Sequence, residues 1–275
     1  MTLTETTGLR YLTPEQKAHF DTLGYIVLRG VFTPQEVEYF TAAYETAFHE
    51  LRGGEDFSPK WAKQRPGASG IRQQYIPFCN LDDRLLEFLD HPNMMDLVED
   101  LLGEDAILTT AGEGFAAATD SIWHTDSRAP EGFISLKVAT YFDEVDVDTG
   151  CLNIIPGGHH HDYTAEIRKA LESGMWGGVK NPDIPMRRPL PSKPGDVIVF
   201  NHKMWHSSFG GQVGRRAIMM NWAQQPTERW HNTYLVGHMA GIMKQWGALY
   251  GERVIETAGE RRMRKLKTAL ELGFK

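Results

Sequence analysis

The sequence predicts an α+β, mainly β fold in which an antiparallel sandwich or barrel packs against N-terminal helices. Three observations predict it. Two Thr-Pro dipeptides each open an amphipathic stretch before residue 103, and from Ala106 onward short apolar runs alternate with Gly, Pro and Asp. The 275 residues, 41% hydrophobic and 24% charged, are also enough for one large core.

In chain order, Thr13-Pro14 begins a capped helix, "YIVLRGV" reads as a strand, and Thr33-Pro34 begins a second helix that stops at Gly53-Gly54. Val37, Phe40, Tyr44, Ala47, Phe48 and Leu51 form the apolar face of that second helix. A further helix covers Met94 to Leu102 and ends at Gly103. The strands then follow as "AILTT", "FISLKVATYF", "CLNIIP", "DVIVFNH" and "RRAIMMNWA". The Gly- and Pro-rich stretch from Gly174 to Pro194 is a loop, and "RRMRKLK" in the charged helical tail is a solvated basic face. One domain spans 1–275: a helical part over about 13–103, a sheet core over about 106–225 and a helical tail over about 226–275.

A net charge of −7 and a pI near 5.9 give no electrostatic reason to bind nucleic acid or an anionic membrane, so the expected partner is a small molecule. Nothing in the composition sets the oligomeric state. Cys79 and Cys151 are the only cysteines, without CxxC spacing, which points to buried thiols in a reducing compartment. With no signal-peptide pattern and no apolar window approaching the ~20 residues of a span, the expected location is cytoplasmic.

The chemistry-bearing residues lie in three stretches. "SIWHTDSRAP" sets His124 and Asp126 two apart, which on a strand puts both on one face about 7 Å apart, able to grip one ion. "KPGDVIVFNHKMWHSSFGG" offers His202 and His206 as a third ligand. Two imidazoles and a carboxylate on one face of a metal leave positions open, as non-haem Fe(II) oxygenases need, and the lack of thiolates argues against structural zinc. "GRRAIMMNWA" opens on Arg215-Arg216, and an arginine fork matches a carboxylate in two-point geometry.

Taken together, "FDTLGYIVLRGVFTPQEVEYF", "WHTD", "TGCLNIIPGGHH" and "PGDVIVFNHKMWHSSFGGQVGRRAI" resemble the phytanoyl-CoA hydroxylase (PhyH-like) family of Fe(II)/2-oxoglutarate dioxygenases from about Phe20 to Ala223. The resemblance implies a double-stranded β-helix (jelly-roll, cupin-like) core with flanking helices. It implies His124, Asp126 and His206 as the iron ligands and Arg215 for the far carboxylate of 2-oxoglutarate, with dioxygen as the second cosubstrate. His206 is preferred to His202 because the family's distal His follows an aromatic or apolar residue, here Trp205. His202 is expected on the same strand face but four residues away, at roughly 13 Å, too far for both to bind one ion.

Arg216 stays open as the alternative cosubstrate arginine, and Thr140 and Tyr141 are candidate cosubstrate or substrate contacts. His159, His160 and His161 with Asp162 invite a second metal site, but consecutive extended residues face alternate sides and the resemblance places them at a turn. Trp123, Trp205 and Trp222 flank the proposed ligands, as pocket walls or as core. The implied activity is oxidation of a small molecule, hydroxylation above all, with release of succinate and CO2. Asp126 disfavours a halogenase, which lacks that carboxylate. The competing reading is a non-redox cupin-like isomerase or binding module, against which Arg215 argues.

Overall fold

The structure, a computed structural model, describes residues 8–55, 72–117, 120–210 and 215–275. Local chemistry starts the chain as expected. Thr13 caps α1 (Pro14–Leu23) and Thr33 caps α2 (Pro34–Leu51), each through a full capping box with Pro in the first turn. Such caps are each worth about 1 kcal/mol. Gly24 closes α1 in the left-handed region at φ 79°, where a Cβ would also strike the His159 ring.

Strand β1 (Tyr25–Leu28) follows α1; after α2 come β2 (Arg72–Tyr75), a 3-10 turn over Phe78–Asn80, α3 (Asp83–Leu89) and α4 (Pro92–Leu102). The strand-rich part comprises β3 (Ile107–Ala117), β4 (Ser121–His124), β5 (Ser135–Tyr141), β6 (Leu152–Ile154), β7 (Arg188–Leu190), β8 (Val197–Asn201), β9 (His206–Ser208) and β10 (Arg215–Ala223). Helix α5 (His161–Glu172) interrupts it, and α6 (Arg229–Trp246), α7 (Glu252–Glu256) and α8 (Glu260–Glu271) complete the chain. No helix among the described residues is long and apolar enough to cross a membrane.

Two antiparallel sheets face each other, ordered β1-β8-β5-β10-β3-β2 and β4-β9-β6-β7. Of the eight strands β3 to β10, all successive pairs cross from one sheet to the other except β6 and β7, which pair as neighbours in the smaller sheet; this is the winding of a double-stranded β-helix. The N-terminal part, expected to be mostly helical, also supplies both edges of the larger sheet. Between the sheets Phe115, Tyr141, Ile198 and Ala217 meet Leu152, Ile154 and Leu190. The outer face of the large sheet presents Leu136, Val138, Ile218, Met220 and Trp222 to the helices, and α5 covers Trp123, Ile155 and Trp205 outside the small one. Both cysteines are buried and free.

One expectation is overturned at the C-terminus. The "RRMRKLK" run is not a solvated face: Lys265 is fully buried and Arg262 nearly so. Lys265 Nζ lies 2.7 Å from Glu99 Oε1, Arg261 pairs with Glu99 and Asp96, and Arg262 pairs with Asp90. The run therefore clamps α8 onto acidic residues that precede the sheet core. Truncating Glu99 to Ala strands a buried ammonium, so a denaturant melt should show a loss of about 3 kcal/mol. Burial pushes the Glu99 carboxyl up, but Arg261 and Lys265 override it and bring it down to about 2. Because the folded form is depressed, this stabilisation is whole above the ordinary value of 4.5 and fades as pH falls toward 2.

Candidate metal centre

Strands β4 and β9 are antiparallel neighbours with His124 directly opposite His206, so both rings leave the same face, their centroids 4.2 Å apart. Strand β4 ends at His124, and Asp126 sits on the loop beyond it rather than on the strand. That loop is pinned because the N–H groups of Asp126 and Ser127 both donate to His202 O, at 3.0 and 3.1 Å. Asp126 Oδ1 lies 3.6 Å from His124 Nε2, and Asp126 Oδ2 lies 3.6 Å from His206 Nε2. One ligand atom from each residue falls within 4.8 Å of the other two.

Both imidazoles are oriented by main chain. His124 Nδ1 donates to Ile122 O at 2.7 Å and His206 Nδ1 to Met204 O at 2.9 Å, which leaves each Nε2 with a lone pair aimed inward. Burial, reinforced by His124, pulls His206 down to about 3, so the ring is neutral, the ligating form. Burial would raise the Asp126 carboxyl, but Lys137 first and His206 next hold it well below the usual carboxylate range. Lys137 Nζ, reaching in from β5, lies 2.8 Å from Asp126 Oδ2 and 3.8 Å from Glu113 Oε2. Three donors cis on an octahedral ion at about 2.1 Å would be about 3 Å apart. The observed spacing therefore admits a divalent ion with a small inward adjustment, and the two-imidazole, one-carboxylate set suits Fe(II).

His202 stands outside this group, but not because of a 13 Å run of strand. The strand β8 stops at Asn201, Met204 N–H turns back to Asn201 O, and His206 starts a strand of the other sheet. The His202 ring is buried against Asn221, Nε2 to Oδ1 3.0 Å, and burial pulls it down to about 3.

The two arginines diverge as neighbours on a strand must. Arg215 shares a face with Ala217 and Met219, which line the space between the sheets. Its guanidinium donates to Gly150 O and to Ser208 Oγ, 2.5 Å, and lies 5.9 Å from the Tyr141 ring centroid. Arg216 instead shares the outer face of Ile218, where Asp143 at 2.6 Å and Glu45 at 2.8 Å engage it. It is not brought to the site. Neither is Thr140, which pairs with Ile218 and lies on the face of Val138 and Phe142, against the helices. Tyr141, on the opposite face, remains beside Arg215.

The triple histidine does not gather a metal. His159 is buried, His160 Nε2 donates to Thr22 O at 2.9 Å, and His161 opens α5. Trp123 and Trp205 pack beneath α5 and also line the cleft at His124 and Asp126, whereas Trp222 is core beneath the other helices. Sequence reasoning missed Lys137 and Ser208. The signal for Ser208 was its place two residues after His206, hence on the same strand face.

Comparisons with known proteins identify the family and the fold. The model of the phytanoyl-CoA dioxygenase (PhyH) family matches residues 20–217. An uncharacterised Mycobacterium tuberculosis protein, Rv1501, is 23% identical over 173 residues, which are 57% of this chain and 56% of that protein; the chain thus spans little more than half of that curated relative. Among solved structures, HygX from Streptomyces hygroscopicus, with nickel and 2-oxoglutarate bound, superposes with a TM-score of 0.63 at 17% identity, covering 78% of this chain and 88% of that one. SnoN, a non-haem α-ketoglutarate-dependent epimerase from nogalamycin biosynthesis, superposes with a TM-score of 0.57 at 20% identity, covering 76% and 81%. At these identities the likeness is one of fold.

Proposed function

The chain belongs to the phytanoyl-CoA dioxygenase (PhyH) family of Fe(II)- and 2-oxoglutarate-dependent oxygenases, and on that premise we propose that it oxidises a small molecule, by hydroxylation, at His124, Asp126 and His206. The observation that carries the reading is the pairing of this donor set with Arg215 in one interior. Ser208, which receives the Arg215 guanidinium, is two residues from His206 on the same face, about 7 Å along the strand. A five-carbon dicarboxylate can bridge that span, one end at the metal and the other on the arginine.

Bound together, Fe(II), 2-oxoglutarate and dioxygen supply the oxidation, releasing succinate and CO2. The protein's own share is positional. His124 and His206 offer their Nε2 atoms, and Asp126 offers its ionised carboxylate. Arg215 and Ser208 orient the cosubstrate's far carboxylate. Tyr141, Leu152, Ile154 and Phe200 wall the interior and exclude water.

The substrate class is a specialised metabolite or amino-acid-like compound. Its support is analogy with proteins of this fold: HygX has been solved with hygromycin B bound, and SnoN is an epimerase. A non-redox isomerase or binding module would have no use for the interior arginine.

The test is succinate release across a panel of candidate small molecules. Stimulated release should require Fe(II), 2-oxoglutarate and oxygen together. Full turnover by metal-stripped protein, or without the keto acid, sinks the proposal.

A further inference from the structure

Resting on that reading, we infer that the cleft beside the metal residues is built to hold an anionic group of the substrate, a phosphate or a carboxylate, between Lys203, Arg128 and Arg168. Three elements bring these cations together. Arg128 follows Asp126 by two residues on the metal loop. Lys203 adjoins His202, whose carbonyl receives the Asp126 and Ser127 N–H groups. Arg168 belongs to α5, where His161, Thr164 and Arg168 at i, i+3 and i+7 share one face.

The opening adjoins the metal site. A cleft of about 310 Å³ is lined by Thr125, Ser127, Arg128, Arg168 and Lys203, and its neighbour, lined by His124 and Asp126, shares the first four of these. That volume is of the order of small-molecule sites.

The charge here runs against the chain, whose net is −7. Glu131 is the one carboxylate on the wall of the cationic cleft, and among the described residues it makes no ion pair with Lys203 or Arg128, acting on Lys203 only at longer range. Lys203 is half-buried, and burial pulls its ammonium below the ordinary value. A partly desolvated cation without a close counter-ion is costly in the empty cleft and relieved by an anion. Arg168 is held ready, its guanidinium 5.2 Å from the Trp205 ring centroid, while Trp205 Nε1 donates to Thr164 Oγ1 at 3.0 Å. Its exposed pair with Glu172, at 3.6 Å, is the kind a ligand displaces readily.

The test loads the full chain with Mn(II) and uses inorganic phosphate as the probe. Wild-type protein should bind phosphate, and the bound phosphorus should relax rapidly in NMR because the paramagnetic ion is close. The double variant Arg128→Met/Lys203→Met should weaken phosphate binding by about tenfold or more while Mn(II) binding, followed by EPR, is unchanged. His206→Ala should lose the relaxation effect yet keep phosphate binding by calorimetry, which separates failure of the metal reading from failure of this one. Acetate distinguishes the sources: competition at similar concentration assigns a carboxylate, and none assigns a phosphate. Equal binding by the double variant, no enhanced relaxation with Mn(II) in place, or phosphate binding that vanishes with the metal in His206→Ala would each overturn the inference.

Discussion

His206→Ala should weaken Fe(II) binding by well over a hundredfold, whereas His202→Ala should leave it nearly unchanged. Loss of a partner that merely orients a ligand already costs about 10- to 100-fold in metal affinity, and His206 is itself one of the three donors. His202 lies outside that group, its Nε2 engaged by Asn221. Its removal leaves one buried amide oxygen unpartnered, a cost of about 1–3 kcal/mol to the fold rather than to the metal. Anaerobic titration with Fe(II), alongside a thermal melt, separates the two effects. The reverse ranking would reassign the distal ligand.

Arg215→Ala should raise the KM for 2-oxoglutarate about 30-fold or more at unchanged iron content, as expected for loss of a charge-assisted contact that the bound cosubstrate would bury, worth about 2–5 kcal/mol. Arg216→Ala should leave that KM alone. It removes the pairs with Asp143 and Glu45, both partly exposed, so its effect is a loss of about 1 kcal/mol or less in stability. Steady-state kinetics on both variants, with iron content measured in parallel, decides the matter. A KM rise confined to Arg216→Ala would transfer the role.

The sequence made the helix starts legible because caps are local: Thr13 and Thr33 act on residues three positions away. His124 and Asp126, which the structure gathers with His206, stood out by their two-residue spacing, but it was the family resemblance that made them ligands and set His206 above His202. What lay hidden depended on partners distant in the chain. Nothing near "RRMRKLK" announces Glu99 or Asp90, more than 150 residues earlier. Thr140 could not be told apart from Tyr141 because most of β5 is buried, both faces being covered, and such a strand lacks the alternation that distinguishes inside from outside. The turn at Lys203 escaped notice because neither Gly nor Pro marks it; the chain reverses on an Asn201 side chain that accepts from Lys203 N–H at 3.0 Å.

The carbonyls of Ile122 and Met204 that fix the two histidine tautomers belong to the main chain. A carboxylate in that position would titrate, and a mutation could delete it. A peptide oxygen does neither. Side chains around the cleft are therefore at liberty to change with the molecule being oxidised, without loosening the ion's grip. What this arrangement does not tolerate is an insertion, deletion or proline between residues 122 and 124 or between 204 and 206, since that would swing a ring off its anchor. Diversification of such a site is thus channelled into side-chain exchange on a backbone of constant length.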